Sequence, residues 1–343
     1  MSTAGTALER GLGTGSEQGL NLALRVIRVG PALILGLLAV IMALASPFFL
    51  TGDNLSNLAV QVAPLACLAI GQLFVILVGG IDLSVGSVLA LCTVTGATAY
   101  GWGDFGGGIV TVAVILLTGV AVGLLNGVML VKGRMPHAFI PTLATLNAAR
   151  GLALLISDGA PMPGMPSIVT TAGAGELGPI PVPLLIVAGF ALVAWILATR
   201  LQWGRWIYLV GGDKEAARRL GIPVDRVIIS VFVISGFAAG LAGLITAGRT
   251  DAGYPSAGQL DELAAISAVI IGGASFFGGR GSIGGALVGV LIFGVINNGL
   301  NLLNVNVYIQ LIAIGVIVVV AVELDVLRRR LEDRFRTLRG SEG

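Results

Sequence analysis

The sequence has few charged side chains. Asp, Glu, Lys and Arg make up 11% of its 343 residues, whereas a soluble domain averages about 25%. Apolar residues account for 56% of the chain, and the mean hydropathy is +0.97. This balance excludes an ordinary soluble domain and indicates an integral membrane protein. Because a membrane-crossing helix needs about 20 apolar residues, the chain has room for roughly ten such helices.

The side chains that most often carry catalysis or bind metals are also scarce. The chain has one histidine, His137, two lysines, Lys132 and Lys214, and two cysteines, Cys67 and Cys92. The cysteines have no CxxC spacing, so they predict neither a metal site nor a disulfide. The serines and acids form no GxSxG or HExxH pattern. We therefore predict no catalytic residue, no metal ligand and no enzymatic activity for this chain.

One glycine-rich run, GGASFFGGRGSIGG at residues 272–285, has the composition of a phosphate-binding loop. A P-loop requires the pattern GxxxxGK[ST], and neither lysine lies in such a pattern. ATP hydrolysis through a P-loop is therefore excluded for this polypeptide. The run instead predicts the end of one helix, a tight turn at Arg280 and the start of the next helix.

Long apolar runs dominate what remains. They predict an all-α, polytopic membrane protein with about ten transmembrane helices. The predicted spans are 31–50, 57–78, 85–101, 108–131, 139–156, 182–200, 227–247, 263–279, 282–301 and 306–325. The first contains an Ala-x-Ala sequence like a secretory signal, but its apolar run is too long for a typical signal core. We therefore expect an uncleaved first helix.

Basic residues are distributed unequally between the two sides that this topology creates. Ten spans place both termini on one side, and that side holds 18 of the 20 lysines and arginines. The opposite side carries Asp53, Asp104, Asp158, Glu176, Asp251, Asp261 and Glu262. Because basic loops stay in the cytoplasm, we predict cytoplasmic termini. Residues 1–30 are then a flexible cytoplasmic tail, 31–326 the transmembrane domain and 327–343 a charged cytoplasmic tail.

Glycines recur four residues apart within several spans. They are Gly119, Gly123 and Gly127, then Gly236 and Gly240, then Gly285 and Gly289. Small residues at this spacing lie on one helix face and let two helices approach closely. They predict a compact bundle.

The stretch VGGIDLSVGS, residues 78–87, places an acid between two apolar runs. Its glycines permit tight or unwound backbone, and Asp82 can cap the helix that follows, because Ser84 and Val85 offer free N–H groups. Irregular backbone at this depth is tolerated only when it is buried in protein or lines a cavity. We therefore predict that Asp82 fixes a helix break near a transport path and carries no proton.

Other polar side chains also lie within spans. Charges in a membrane point to function by default, and Arg150 falls in the outer half of the fifth span. Neutral groups suit a polyhydroxylated neutral substrate, but they equally stabilise helix packing by about 0.6 kcal/mol each. The candidates for a translocation path are Asp82, Ser84, Asn126, Thr142, Asn147, Arg150, Asn297 and Asn298. So few buried acids argue against an ion-driven transporter.

The longest internal loop, residues 201–226, contains the segment DKEAARRL at 213–220. This composition favours a short helix that Gly221 ends, with Pro223 close behind. The helix would be exposed on the basic side. It is either an ordinary connector or a docking helix for a soluble partner, and the residues alone leave both open.

Several blocks resemble the ribose/xylose-type ABC sugar permease family. VGGIDLSVGSVLAL (78–91), GGDKEAARRLGI (211–222) and AVELD (321–325) are similar to its motifs. So are NGVMLVKGRMPHAFIPTLATLNAARGLALLISDG (126–159) and the blocks at 262–289 and 296–310. The similarity covers about residues 35–326. It departs from the family pattern at Asp213, where asparagine is frequent, and at Ala144, where glycine is usual.

The resemblance implies a function. Residues 31–326 would be the transmembrane permease domain of a homodimer in the cytoplasmic (inner) membrane. A periplasmic or extracellular binding protein would deliver a monosaccharide, a pentose or a hexose, and a cytosolic ATPase subunit would drive transport. ATP and magnesium would bind to that partner, so this chain would need no cofactor, and nothing implies nucleic acid. Membrane lipid would surround the domain.

The resemblance also assigns roles to residues. The coupling segment that the ATPase grips would consist of Asp213, Glu215, Ala216, Ala217, Arg218, Leu220, Gly221 and Ile222. The alternative function is a stand-alone secondary sugar transporter or facilitator, which the coupling segment and the scarcity of buried acids oppose.

Overall fold

The protein is a bundle of helices, seen in a computed structural model that describes residues 30–101, 103, 107–306, 308–310, 312, 315, 316, 319 and 323. Its helices are α1 (Gly30–Ala45), α2 (Gly52–Leu77), α3 (Val85–Tyr100), α4 (Gly108–Lys132), α5 (Phe139–Ile156), α6 (Ser167–Ala174), α7 (Val182–Thr199), α8 (Gln202–Gly212), α9 (Lys214–Arg219), α10 (Val224–Thr250), α11 (Asp261–Ile271) and α12 (Ile283–Leu302). Two-residue strands lie in the connections: β1 (Met162–Pro163), β2 (Glu176–Leu177), β3 (Ile180–Pro181) and β4 (Ala252–Gly253).

Within the described residues, six helices are long and apolar enough to cross a membrane, namely α2, α4, α5, α7, α10 and α12. Each coincides with a predicted span. The first and third predicted spans correspond to α1 and α3, which are apolar but shorter. The all-α, polytopic membrane class is therefore confirmed, and the count of about ten spans stays a prediction.

The bounds of one predicted span were wrong, and two helices were not predicted. The span predicted at 263–279 is the shorter helix α11, because Gly273, Gly278 and Gly279 adopt positive φ and turn the chain. The connection at 201–226 contains the additional helix α8, and helix α6 lies where no element was predicted. The turn predicted within 272–285 is confirmed. Of the tenth predicted span, only residues 306, 308–310, 312, 315, 316, 319 and 323 are described, and the two terminal tails lie outside the described residues except for Gly30.

The core of the bundle is built around α2 and α10. Most of α2 is buried, and α10 packs along both α2 and α4. The contact between α10 and α4 depends on glycine, as predicted. A Cβ added at Gly119 would collide with the carbonyl oxygen of Gly236, and one added at Gly123 with that of Phe232. Two backbones meet where these side chains are missing.

The bundle has two chemically different ends. At the first, α2 and α4 finish and α5, α10 and α12 begin. There the Gly279 N–H donates to the Leu77 carbonyl oxygen at 2.9 Å. We call this the basic end, because its connections carry Lys132, Arg134, Arg200, Arg205, Lys214, Arg218, Arg219, Arg226 and Arg280. We call the opposite end the acidic end, because its connections carry Asp158, Glu176 and Asp251. There β1 pairs with β4 and β2 pairs with β3, both antiparallel.

Candidate functional site

The backbone breaks between α2 and α3, at residues 78–84. Gly79 adopts a φ of 73°, a conformation that L side chains rarely adopt. Asp82 lies in the break with 1% of its surface exposed. One carboxylate oxygen accepts the Ser84 N–H at 3.0 Å and the Ser84 hydroxyl at 2.6 Å. The second accepts the Ser235 hydroxyl at 2.9 Å. Of the two predicted contacts, the one with the Ser84 N–H is present, whereas Asp82 has no hydrogen bond to the Val85 N–H in the structure, and the N-cap residue of α3 is Ser84.

Gln72 holds the backbone of the same acid. In the amide orientation that satisfies both groups, Gln72 donates to the Asp82 carbonyl oxygen and accepts from its N–H, each at 3.1 Å. Gln72 and Ser235 are both fully buried. Sequence reasoning missed these two residues, although a glutamine inside an apolar helix was a usable signal.

A chain of hydrogen bonds continues from the break into α4 and α5. Asn126 donates to the Ser84 hydroxyl at 2.9 Å, and the Thr145 hydroxyl donates to Asn126 at 2.6 Å. We call this set the Asp82 network; its members are Gln72, Asp82, Ser84, Asn126, Thr145 and Ser235. Every member is buried. In this conformation the network holds together the helices that carry its members. A buried network whose members are all hydrogen-bonded rigidifies the core around it.

Thr142 lies beside the Asp82 network. Its hydroxyl donates to the Ala138 carbonyl oxygen at 2.9 Å and approaches the Ile81 carbonyl oxygen at 3.4 Å. The structure thus brings together four of the predicted path residues, Asp82, Ser84, Asn126 and Thr142, at the break.

The other four path candidates lie elsewhere. Asn147 is exposed and bonds within its own helix, to the Leu143 carbonyl oxygen at 3.1 Å. Asn298 forms a reciprocal amide pair with Asn54, with bonds of 3.0 and 2.9 Å that tie the end of α12 to the start of α2. Asn297 is half-buried on the same turn of α12.

Arg150, the last of them, holds the connection between α10 and α11. Its guanidinium donates to the carbonyl oxygens of Pro255 and Ala257, at 2.6 and 2.8 Å. This connection follows α3 inward. The Tyr254 N–H donates to the Thr93 hydroxyl at 2.9 Å, and Gly258 contacts Gly86, about 10 Å further along α3 by helix rise.

The inward path carries two acids into the bundle. Asp261 and Glu262 begin α11, and both interact electrostatically with Arg150. Glu262 is 8% exposed and packs against Gly86, at the start of α3. Within the described residues, its Oε2 has no hydrogen-bond partner. The sequence analysis counted Glu262 among the acids on the side opposite the termini, whereas the structure buries it, because the connection before it turns into the bundle.

At the basic end, α9 is the short helix that the sequence predicted. Asp213 caps it by accepting the N–H groups of Glu215 and Ala216, at 2.8 and 3.0 Å. Gly221, at a φ of 77°, ends it. Leu220 is 72% exposed, which leaves an apolar side chain in solvent beside the helix.

Two exposed ion pairs stabilise α9 only slightly. Arg218 contacts Glu215 at 3.1 Å and Asp225 at 3.3 Å. Exposed pairs of this kind contribute about 0–1 kcal/mol. The remaining coupling candidates are Ala216, Ala217 and Ile222, of which Ala217 and Ile222 are buried beneath the helix.

Helix α8 connects α9 to the core, and together they form the α8–α9 arm (residues 202–219). Its residues Ile207 and Val210 are buried. A Cβ added at Gly211 would collide with the Leu77 carbonyl oxygen at the end of α2. The Tyr208 hydroxyl donates to the Gly281 carbonyl oxygen at 2.9 Å. The arm is therefore packed against the helix end that leads into the break.

A cavity of about 600 Å³ lies between the arm and the break. Its wall includes Gly80 of the break, Arg134 and His137 from the α4–α5 connection, and Lys214 and Arg218 of α9. Burial and the neighbouring Arg218 lower the pKa of Lys214. The cavity lies between α9 and the break, whereas Gly211 of α8 packs directly on the end of α2.

Comparison with known proteins identifies relatives along most of the chain. Residues 54–322 match the family described as "Branched-chain amino acid transport system / permease component". A ribose import permease of Haemophilus influenzae is 40% identical over 84% of this chain and 90% of its own length. The D-allose transport system permease of Escherichia coli is 41% identical over 89% and 93%, and the L-arabinose permease of the same species 34% identical over 86% and 89%. No solved structure matches.

Proposed function

Because the chain belongs to this family of transport permeases, we propose that it is the membrane-spanning subunit of an ATP-driven importer for a monosaccharide. The observation that carries the proposal is the similarity, at about 40% identity along most of both chains, to permeases named for ribose and allose. These are a pentose and a hexose, so the substrate class is a pentose or hexose.

ATP hydrolysis then belongs to a separate cytosolic subunit, which binds ATP and magnesium. The lack of a P-loop pattern in this sequence supports that division. The capped and exposed helix α9 offers the ATPase a docking element at the basic end. The residues in contact with the partner are Asp213, Glu215, Ala216, Arg218, Leu220 and Gly221, while Ala217 and Ile222 anchor the helix from below.

Movement of the docked ATPase reaches the membrane domain through the α8–α9 arm. Gly211 of the arm contacts the last turn of α2, and the break with Asp82 follows directly. Movement of α9 across the cavity behind it would shift the end of α2. The Asp82 network would then change its pairing, and the polar groups of Asp82, Ser84, Asn126 and Thr142 would become available to sugar hydroxyls.

The acidic end faces the binding protein that delivers the sugar, and the basic end faces the cytoplasm, together with both termini. The excess of lysine and arginine at the basic end supports this orientation. Two copies of the chain, each with about ten spans, assemble in the inner membrane.

Reconstitution tests this function. The chain is placed in proteoliposomes with its ATPase and binding protein, and ATP hydrolysis is measured with and without candidate monosaccharides. We expect one sugar, bound to the binding protein, to stimulate hydrolysis. A complex whose hydrolysis no pentose or hexose changes would refute the assignment.

A further inference from the structure

The cavity of about 600 Å³ between α9 and the break has a basic wall. Arg134 from the α4–α5 connection and Lys214 and Arg218 from α9 line it, and Asp225 is the one acid among its described lining residues. Three cations and one acid leave an excess of two positive charges, without counting His137. A concave wall of one charge sign raises the local concentration of counter-ions, so this cavity favours an anion.

Two of these cations have no counter-charge. Within the part of the chain that the structure describes, Arg218 forms ion pairs with Asp225 and Glu215, whereas Arg134 and Lys214 form none. Burial lowers the pKa of Lys214, and the positive charge of Arg218 lowers it further. Lys214 and Arg218 therefore repel each other, and an anion between them would relieve that repulsion.

The backbone of the α4–α5 connection fixes where Arg134 meets the cavity. Arg134 has a φ of 50°, in the left-handed region that few residues other than glycine adopt. Its N–H donates to the Val131 carbonyl oxygen at 3.3 Å, and the Met135 N–H donates to the Leu130 carbonyl oxygen at 3.1 Å. Strained backbone of this kind concentrates at binding sites, which agrees with a ligand at this wall.

Other parts of the wall offer backbone polar groups. Phe139 begins α5 and lines the cavity, and in the described residues no side chain caps this helix. The free N–H groups of a helix N-terminus favour an anion. Gly79 and Gly80 of the break also line the cavity and leave peptide groups, rather than side chains, on its wall. The wall thus combines positive charge with groups that can bind hydroxyls.

We propose that this cavity binds a small phosphate-bearing anion, either inorganic phosphate or the phosphate ester of a monosaccharide. A phosphate monoester carries about −1.5 to −2 charges at pH 7, which matches the excess positive charge of the wall. Arginine pairs with phosphate through two parallel hydrogen bonds, and small-molecule sites have volumes of about 300–1,000 Å³. The bound anion links α9 to the α4–α5 connection.

Other occupants suit the wall less well. A neutral monosaccharide would leave the excess positive charge in place. The C-terminal tail, residues 327–343, contains six arginines and three acids, so it is itself basic. The sugar ester as ligand rests on the proposed function, since a phosphoryl-transfer reaction in the cytoplasm would make it from the imported monosaccharide. Inorganic phosphate as ligand does not depend on that function.

Isothermal titration calorimetry of the purified full-length chain tests the site, with inorganic phosphate, ribose 5-phosphate and ribose as probes. We expect both phosphate-bearing probes to bind, and ribose reports any binding of sugar elsewhere on the chain. Tighter binding of ribose 5-phosphate than of phosphate identifies the ester as the ligand, and equal or weaker binding identifies inorganic phosphate. The measurement needs neither the ATPase nor transport, so its failure would leave the proposed function standing.

The double variant Arg134→Gln/Lys214→Gln should weaken binding of both phosphate-bearing probes by about tenfold per cation, roughly a hundredfold in all. Lys132→Gln/Arg219→Gln is the matched control. It also removes one lysine and one arginine from the end of α4 and from α9, but these exposed side chains do not line the cavity. The control should bind both probes like the wild type.

A wild type that binds neither phosphate-bearing probe would overturn the proposal. An unchanged affinity in Arg134→Gln/Lys214→Gln would also overturn it, as would an equal loss in the control variant, because binding would then depend only on the overall charge of the basic end.

Discussion

The hydroxyl of Ser235, in the middle of α10, donates to the Asp82 carboxylate across 2.9 Å, although 153 residues separate them in sequence. This bond attaches the break after α2 to the helix that packs against most of the bundle. The second carboxylate oxygen is used by Ser84. Asp82 therefore acts as a buried acceptor for three donors, so a side chain that replaces it must pair with the same groups.

Asp82→Asn should largely keep transport and folding, because the amide oxygen still accepts from Ser84 and the Ser235 hydroxyl can turn to accept from the amide. Asp82→Leu should abolish transport, since it leaves buried donors unpaired at about 1–3 kcal/mol each. Thermal unfolding measures the stability of both variants, and sugar uptake measures their transport. A functional Asp82→Leu, or an inactive but stable Asp82→Asn, would show that the network has another role.

Adjacent glycines at the end of α8 give a matched pair for the α8–α9 arm. A Cβ at Gly211 collides with the end of α2, whereas one at Gly212 meets nothing within 4 Å. Gly211→Ala should therefore cost about 1–3 kcal/mol and reduce sugar-stimulated ATP hydrolysis. Gly212→Ala should behave like the wild type in both assays. Equal effects of the two substitutions would mean that movement of the ATPase does not reach the membrane domain through the contact between Gly211 and α2.

Glu215→Arg reverses a charge on the exposed face of α9. The folded protein loses only an exposed ion pair, worth about 0–1 kcal/mol, so its melting temperature should change little. Association with the ATPase should be lost, which co-purification measures. Glu176→Arg is the control, since this glutamate is equally exposed but lies at the acidic end. Retained association in Glu215→Arg would remove α9 from the docking surface.

Arg150 and Glu262 interact electrostatically, and a double-mutant cycle can isolate this interaction. Arg150→Met removes the donor to Pro255 and Ala257 and leaves two acids without their positive neighbour. We expect a loss of thermal stability, because the carbonyl oxygens of Pro255 and Ala257 lose their hydrogen-bond donor and the acids lose a favourable charge interaction. Adding Glu262→Gln should restore part of it. Strictly additive effects would show that the two side chains do not interact.

The sequence predicted those features that depend on local chemistry. Apolar length located the six spanning helices, the composition of residues 213–220 and Gly221 located α9, and the glycine-rich run 272–285 predicted a turn between two helices, although not the helix end at Ile271. In the site, the sequence predicted that Asp82 lies at a helix break and accepts the Ser84 N–H. Each of these features needs only residues that are close in the chain.

Features that depend on distant contacts were missed. Gln72 and Ser235 meet Asp82 only after α2 and α10 have packed. Glu262 was assigned to the surface because nothing local indicates that residues 254–258 run inward along α3. Helix α8 was taken as loop, since its few buried residues, Gly204, Ile207 and Val210, are too short a pattern to detect without the surface that they cover.

Uptake of labelled sugar by proteoliposomes tests most directly whether a separate ATPase drives transport through this chain. Vesicles contain the chain with its ATPase, the binding protein is outside, and ATP is supplied inside or withheld. Accumulation above the external concentration should occur only with both ATPase and ATP, and should persist when ionophores collapse all ion gradients. Accumulation by the chain alone, or its loss with the ion gradients, would contradict the account and indicate a secondary transporter.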